Sequence, residues 1–181
     1  WVEYIGEFNA HPPALGLREE NGKQIVIPVV PGMVLSIDIG SYNKQLHDSL
    51  IFKRLFAPAT PHTTSKQGRD CKSCHYNSTA LGYGEGVFSI IDDKINFESK
   101  YKNNPNDGLP EDAWIPFLGE PKNDFSTRSN VKPFSIEQQK LILQVGVCLN
   151  CHKDDSEIMQ QSLIDYTSLL KSTSRNCIII Y

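Results

Sequence analysis

The chain has little net charge, no run of Lys and Arg, and no long apolar stretch. Its 181 residues carry 18 Lys and Arg against 21 Asp and Glu, a formal net charge of −3. This balance gives no electrostatic case for nucleic-acid binding, and no apolar run is long enough to span a bilayer. Hydrophobic residues make up 39% of the chain. That fraction predicts only a modest core, for one domain or two small ones.

Cysteine and histidine are also few, at five each, but they are unevenly placed. Four of the cysteines stand in two C-x-x-C-H blocks, Cys71–His75 and Cys148–His152. This is the attachment pattern for c-type haem: two thiols bind the vinyl groups at one porphyrin edge, and the next residue offers an imidazole to the iron. The sequence therefore predicts two covalently bound haem c groups. The thioether residues are Cys71, Cys74, Cys148 and Cys151, and the proximal iron ligands are His75 and His152.

Zinc knuckles, a thioredoxin-like redox pair and structural disulfides are the alternative interpretations of these cysteines. A compact zinc site places its two Cys pairs roughly 15 to 20 residues apart, whereas the 73 residues from 75 to 147 separate Cys74 from Cys148. A thioredoxin-like motif needs a βαβ setting, and no such pattern surrounds either block. None of the three alternatives explains a histidine after both second cysteines.

The sixth iron ligand separates an electron carrier from an enzyme, because an open iron can bind substrate. No Met lies between His75 and Met159, and Met159 stands only seven positions after His152. Seven helical residues span about 10 Å, a short path around a porphyrin edge, so Met159 is assigned to the core. Met33, in a Pro-Gly turn, is also set aside.

The remaining histidines precede the haem blocks and are the predicted distal ligands. His62 follows Pro61, which fixes an extended approach, and His11 precedes Pro12-Pro13, which restricts its backbone. His47 has the least distinctive setting and is a further candidate. Two imidazoles on one iron favour a low-potential centre for outer-sphere electron transfer.

Arginine and the fifth cysteine receive secondary assignments. Haem propionates are negatively charged and attract arginine, so Arg69 and Arg128 are the predicted propionate contacts and Arg54 is a further candidate. Each of the three is equally compatible with an exposed, solvated charge. Cys177 is left unpaired and is predicted to be a buried thiol on a terminal strand, with an intermolecular cross-link or docking element as the alternative.

Local patterns in the N-terminal half predict a β-hairpin and a short helix. The Val- and Ile-rich stretches Gln24–Val30 and Met33–Ile39 form the hairpin, which turns at Pro31-Gly32. The helix is expected at Lys44–Phe56. After the first block, the glycines of Ala80–Gly86 are expected to let the backbone lie against a flat ligand.

The C-terminal half is expected to begin as a long loop over residues 92–134 and to end in helices. Ser135 and Gln138 form a capping box for a helix that delivers the second block, with Leu141, Val145 and Cys148 on one helical face. Ser156 caps another helix with an apolar stripe of Met159, Leu163, Tyr166 and Leu170.

Together these patterns predict a mostly irregular and α-helical fold with a small β-hairpin, whose short helices and long loops wrap around two c-type haems. The chain is predicted to be a single dihaem module, residues 1–181. The hairpin and the first block lie in residues 1–90, and the loop, the C-terminal helices and the second block in residues 91–181.

Several segments surround the two blocks with a recognisable pattern: Phe8–Ala14, Pro31–Met33, Pro61–Thr64, Arg69–Gly84, Thr127-Arg128, Pro133-Phe134 and Val147–His152. They resemble the C-terminal region of large bacterial multihaem c-type cytochromes, which are octahaem-like electron-transfer proteins. The resemblance implies histidine as distal ligand, haems in close edge contact, and transfer of electrons between membrane, periplasm and exterior. Because members of that family carry more than two haems, it also implies that this chain belongs to a longer protein or to an assembly. One of the three distal histidines would then ligate a haem outside this segment.

The function predicted from these features is electron transfer through two bis-histidine haems. The expected partners are redox partner proteins or other haem-bearing subunits, and an oligomer or assembly is compatible with this. The alternatives are a dihaem peroxidase or a reductase of small nitrogen or sulfur oxyanions, with one open iron, and a subunit of an extracellular cytochrome filament. Thioether attachment takes place outside the cytoplasm, which predicts a periplasmic or extracellular location. The chain begins at Trp1 without a charged-then-apolar leader, so we expect a processed product or a fragment.

Overall fold

Seven strands and four helices make up the regular structure of the computed structural model, which describes residues 13–38, 50–59, 66, 68–122, 124–128, 130–174 and 177–180. The strands are β1 (Ala14–Glu20), β2 (Lys23–Asp38), β3 (Leu50–Pro58), β4 (Gly86–Ile91), β5 (Lys94–Ser99), β6 (Asp124–Ser126) and β7 (Val131–Lys132). The helices are α1 (Lys72–His75), α2 (Ser78–Leu81), α3 (Ile136–Cys148) and α4 (Glu157–Lys171). No helix in the described ranges is long and apolar enough to cross a membrane.

The strands form two sheets, so the prediction of a mostly irregular and helical fold wrapped around haems is wrong. A five-stranded sheet has the order β6-β3-β2-β1-β7, and β4 pairs with β5 in a separate hairpin. All pairs are antiparallel except β3 with β6. The large sheet takes strands from both halves of the chain.

The first hairpin turns at Asn21-Gly22 and not at Pro31-Gly32, as the sequence analysis expected. Asn21 and Gly22 have positive φ angles of 52° and 72°, which is the type I′ geometry that suits the twist of a two-residue hairpin. The two predicted strands are instead parts of one long strand, β2. Its N-terminal half pairs with β1 and its C-terminal half with β3, and the register shifts between Pro31 and Met33.

The helix predicted at Lys44–Phe56 is also wrong where the structure describes it, because residues from Leu50 onward form β3. Residues 44–49 lie outside the described residues. The stretch Leu50–Phe56 contains β-branched and aromatic residues, which suit a pleated sheet, and β3 gains a partner on each side, β2 and β6.

The predicted loop over residues 92–134 contains three strands, although most of it is irregular. Strand β5 belongs to the β4–β5 hairpin, whose two turn residues, Asp92 and Asp93, have positive φ angles of 49° and 58°. The signal for this turn was weak because Asp-Asp is less typical of a type I′ turn than Asn-Gly.

The core cluster contains residues of the large sheet, of α2, β5 and α3, and of the irregular segment after β5. Trp114 is buried and stacks on Phe56 of β3, with ring centroids 4.7 Å apart and an interplanar angle of 19°. Gly16 of β1 makes room for the indole, since a Cβ there would lie 2.7 Å from two Trp114 ring carbons.

A buried arginine holds the irregular segment against the sheet. Arg54 of β3 is 4% exposed and forms an ion pair with Asp107, whose side chain is fully buried. The Arg54 guanidinium also donates to the carbonyl oxygens of Leu109, Pro110, Glu111 and Ala113. Every donor of Arg54 has an acceptor, so this arginine is a structural residue and not the propionate contact considered above.

Helix α3 begins with the predicted capping box. The Ser135 hydroxyl accepts from the Gln138 N–H and the Gln138 side chain accepts from the Ser135 N–H, which confirms the prediction. The face that carries Leu141, Val145 and Cys148 is not the buried one, because Leu141 is 50% exposed. The buried positions of α3 are Gln139, Leu143, Gln144, Gly146 and Val147.

Helix α4 follows Ser156 as predicted, but the Ser156 side chain makes no capping hydrogen bond. Met159 is buried, as the stripe predicts, whereas Leu163 is 80% exposed. Asp165 has non-helical backbone angles and kinks the helix. Leu163, before the kink, is the stripe residue that is exposed, whereas Tyr166 and Leu170, after it, are half-buried.

Replacing Arg54 with Met should lower the free energy of unfolding by about 3 kcal/mol, because Asp107 would be left as a buried charge without its partner. Chemical denaturation followed by tryptophan fluorescence measures this directly, since Trp114 packs beside the pair. Arg18, whose ion pair with Glu20 is exposed, is the matched control, and Arg18→Met should change stability by less than about 1 kcal/mol. Equal effects of the two substitutions would contradict the role given to Arg54.

Candidate functional site

The two C-x-x-C-H blocks adopt the same local structure. In each, the carbonyl oxygen of the first cysteine accepts hydrogen bonds from the N–H groups of the second cysteine and of the histidine. The N···O distances are 3.3 and 2.9 Å at Cys71, and 3.1 and 2.9 Å at Cys148. One helical turn brings residues i, i+3 and i+4 to the same side, so each block presents two thiols and an imidazole together.

Asp70 caps the first block. Its carboxylate accepts from the Ser73 N–H at 2.7 Å, and its backbone carbonyl accepts from the Ser73 hydroxyl at the same distance. An acceptor at this position satisfies an N–H group that a short helix cannot pair internally. The turn is therefore held before any ligand binds to Cys71 and Cys74.

The imidazole of His75 is oriented by helix α3. Its Nδ1 lies 3.2 Å from the carbonyl oxygen of Ile142. A carbonyl oxygen only accepts, so Nδ1 carries a proton and donates, and in the neutral imidazole the lone pair is then on Nε2. This is the tautomer that an Nε2-bound metal requires, and a backbone carbonyl is a usual partner for the other nitrogen. The side chains of the first block thus fit a c-type haem.

Helix α3 packs on the first block at Gly146. A Cβ at this position would lie 2.8 Å from the His75 carbonyl carbon, and closer still to its oxygen. The same Cβ would approach Tyr76 Cδ2 at 3.1 Å, and the Tyr76 ring packs against Phe88 in a tilted arrangement, with centroids 5.1 Å apart and an interplanar angle of 47°. Since α3 ends at Cys148, this contact joins the first block to the element that carries the second.

The second block has one sheltered thiol and one accessible thiol. Cys148 is half-buried and Cys151 is exposed. Burial raises the pKa of the Cys148 thiol and the charge of Cys177 adds to this, while a hydrogen bond from Gln144 acts in the opposite direction. Gln144 also donates to the Ile178 carbonyl and accepts from the Ile180 N–H, so it ties the C-terminal segment to α3.

Two hydroxyl groups of α4 are buried with no hydrogen-bond partner among the described residues. They belong to Ser156, at the start of the helix, and to Tyr166. Burial raises the pKa of Tyr166, and the charge of Cys148 contributes to that rise, which indicates that this ring lies near the second block. An unsatisfied buried hydroxyl costs about 1–3 kcal/mol, so a bound group with polar oxygens fits here.

A cavity of about 300 Å³ joins the two blocks. Asp70 and Lys72 of the first block line it, together with residues 149–154, which include Cys151 and His152. Lys72 and Lys153 give this cavity two ammonium groups, and Asp70 and Asp154 give it two carboxylates, so their formal charges balance. Neither lysine was singled out from the sequence.

The other predicted site residues divide into three groups. Arg69 is exposed and lies two residues before Cys71 of the first block. Arg128 is also exposed but lies in the turn between β6 and β7, on the sheet. His11, His47 and His62 lie outside the described residues, so the structure does not place the predicted distal ligands.

The glycines after the first block pack against the chain itself, and not against an open space for a flat ligand. Gly82 has a φ angle of 92° and ends α2, and its carbonyl accepts from the Trp114 and Ile115 N–H groups. A Cβ at Gly84 would overlap Asp112. The prediction for Cys177 is wrong as well, because this thiol is exposed and residues 178–180 form no strand.

No group of three or more His, Cys, Asp and Glu side chains within the described ranges is arranged to hold a metal ion. The two cysteine pairs therefore do not converge on a common zinc site there. All five cysteines are free thiols, so the structural-disulfide alternative also lacks support.

Comparison with protein-family models, with curated proteins and with solved structures found no match. Inference about function therefore rests on the site itself. The sequence analysis assigned no site role to Ile142, Gln144 and Gly146, and it placed Tyr166 only in an apolar stripe. Gly146 left a signal, because an isolated glycine within a helical pattern often marks a close contact.

Burial should make the Cys148 thiol slow to alkylate in chain prepared without haem attachment. A raised pKa means less thiolate at a given pH, and the thiolate is the reactive form. Iodoacetamide labelling mapped by mass spectrometry from pH 7 to pH 10 should give Cys148 a half-maximal rate at higher pH in the folded chain than in urea. Superimposable pH profiles in the two solvents would contradict the shift.

Proposed function

We propose that this chain binds two haem c groups and works as an electron-transfer protein. The observation that carries the proposal is the matched geometry of the two C-x-x-C-H blocks, in which one helical turn presents two thiols and a histidine. A bound haem supplies a one-electron iron couple. The chain's own residues attach it, orient its ligand and set its surroundings.

At the first block, the residues needed for attachment are accessible and ordered. Cys71 is exposed and Cys74 is half-buried, so both thiols can be reached from one side. Asp70 holds the turn, and the Ile142 carbonyl holds the His75 imidazole with Nε2 available. His75 is the proposed proximal ligand and needs no change of tautomer to bind iron.

At the second block, Cys148 and Cys151 are the proposed thioether residues and His152 is the proposed proximal ligand. Tyr166 and Ser156 add two buried hydroxyl groups without partners in the described part of the chain. Hydroxyl groups donate to carboxylates, so these residues are suitable contacts for a propionate. Arg69 and Lys72 provide positive charge at the neighbouring first block.

Electron transfer between two bound groups requires that they lie near each other. The shared cavity supports this, because residues of both blocks line it. The Gly146 contact supports it independently, since it packs the helix of the second block on the backbone of the first. We therefore propose that electrons pass between the two sites within this chain and on to redox partner proteins or other haem-bearing subunits.

The carrier function is proposed over a haem enzyme because the chain contains three further histidines able to close both irons. His62 and His11 are the proposed distal ligands, and His47 is the remaining candidate. Attachment through thioethers implies export, so a periplasmic or extracellular location belongs to the same proposal.

Denaturing mass spectrometry of protein from an exporting host with haem-attachment machinery should show two added haem masses. Cys71→Ala should weaken attachment at the first block only, and Cys151→Ala at the second only, because each thioether belongs to a separate block. Cys177→Ala is the matched control and should retain both haems. Protein that retains zinc and no haem would overturn the proposal.

Both irons should be low-spin in electron paramagnetic resonance spectra of the oxidised protein, as bis-histidine ligation requires. His62→Ala should convert one haem to a high-spin or water-ligated form and raise its potential, whereas His47→Ala should change little. A stoichiometric high-spin haem in the parent protein that binds peroxide or nitrite would replace the carrier function with an enzyme function.

A further inference from the structure

Glycine is an unfavourable residue at position 146, in the interior of α3. Gly in a helix interior is less favourable than Ala, because a glycine loses more backbone conformational freedom on folding. The backbone of Gly146 needs no positive φ angle, so helix geometry does not explain it. The explanation lies in what the missing side chain would meet.

The missing side chain makes room for backbone, which cannot move aside as a flexible side chain can. A Cβ on Gly146 would overlap the His75 carbonyl group and would approach Tyr76 Cδ2 at 3.1 Å. Any larger residue at this position must therefore push α3 away from the first block. Such a displacement acts directly on the backbone of the proposed proximal ligand.

Ile142 stands one turn before Gly146 on the same face of α3. Its carbonyl oxygen is the acceptor for His75 Nδ1, at 3.2 Å. This distance is already near the long end of the usual range for N–H···O hydrogen bonds, so a shift of several tenths of an ångström breaks the bond. The hydrogen bond at Ile142 therefore depends on the close approach of α3 at Gly146.

Loss of this hydrogen bond has a predictable electronic effect. Donation from Nδ1–H increases the basicity of Nε2, and a more basic ligand stabilises the more highly charged, oxidised iron. Without the Ile142 acceptor, the potential of a haem bound to His75 moves to a more positive value.

We propose that Gly146 is a positioning residue for the first haem: its missing side chain lets the helix of the second block hold the His75 imidazole. The proposal rests on the proposed function, since it concerns a haem at the first block. Ile142 and Cys148 lie six residues apart on α3, about 9 Å along the axis. One rigid helix therefore orients the proximal ligand of the first haem and carries the first thioether of the second.

The test compares Gly146→Ala with Gly68→Ala in the haem-loaded protein. Gly68 is the matched control because a Cβ there meets no atom within 4 Å and it lies three residues before Cys71. Gly146→Ala should shift one of the two reduction potentials to a more positive value and leave the other unchanged, with both haem masses retained. Gly68→Ala should shift neither.

A second measurement uses the parent protein, so that poor folding of Gly146→Ala leaves the proposal falsifiable. In protein labelled with ¹⁵N-histidine, the His75 Nδ1 proton should exchange with solvent at least about tenfold more slowly than in free imidazole, as a hydrogen bond of about 1.4 kcal/mol requires. An unprotected proton would overturn the proposal, as would equal potentials in Gly146→Ala and Gly68→Ala. Absence of haem from the parent would instead overturn the proposed function.

Discussion

The site depends most on the contact between helix α3 and the first C-x-x-C-H block. At Gly146 the helix approaches the His75 backbone more closely than any side chain would allow, and one turn earlier the Ile142 carbonyl accepts from the imidazole. This contact fixes the tautomer of His75 and its direction. It also brings Cys148 to the end of the same helix, so that the two blocks share a cavity.

The rest of the fold keeps α3 in contact with α1, the helix of the first block. Arg54 draws the segment 107–113 onto the sheet, and this segment carries Trp114 into the core. Tyr83 links that core to α3, because its hydroxyl donates to Gln139 at 2.9 Å and Gln139 donates in turn to the Phe134 carbonyl. Burial raises the pKa of Tyr83, so this hydroxyl remains a donor at neutral pH. A buried series of hydrogen bonds of this kind fixes one orientation of α3.

The sequence predicted those structural features that are determined by residues close together along the chain. The capping box at Ser135 and Gln138 predicted the start of α3, since both partners lie within one turn. The sheet was missed because its pairing is set by distant residues, although Asn21-Gly22 was a readable hairpin signal. His75 and Ile142 are 67 positions apart, and Arg54 and Asp107 are 53 apart. No spacing rule connects such pairs. The thiols and histidines of the site could therefore be predicted, but the distant residues that orient and pack against them could not.

The central claim is that each block binds one iron through its own histidine. Crystals of the exported protein, measured on both sides of the iron absorption edge, test this most directly. The account predicts two anomalous peaks, one at bonding distance from His75 Nε2 and the other at bonding distance from a ring nitrogen of His152. Peaks absent at the iron edge, or a single metal bound by cysteines of both blocks, would contradict it.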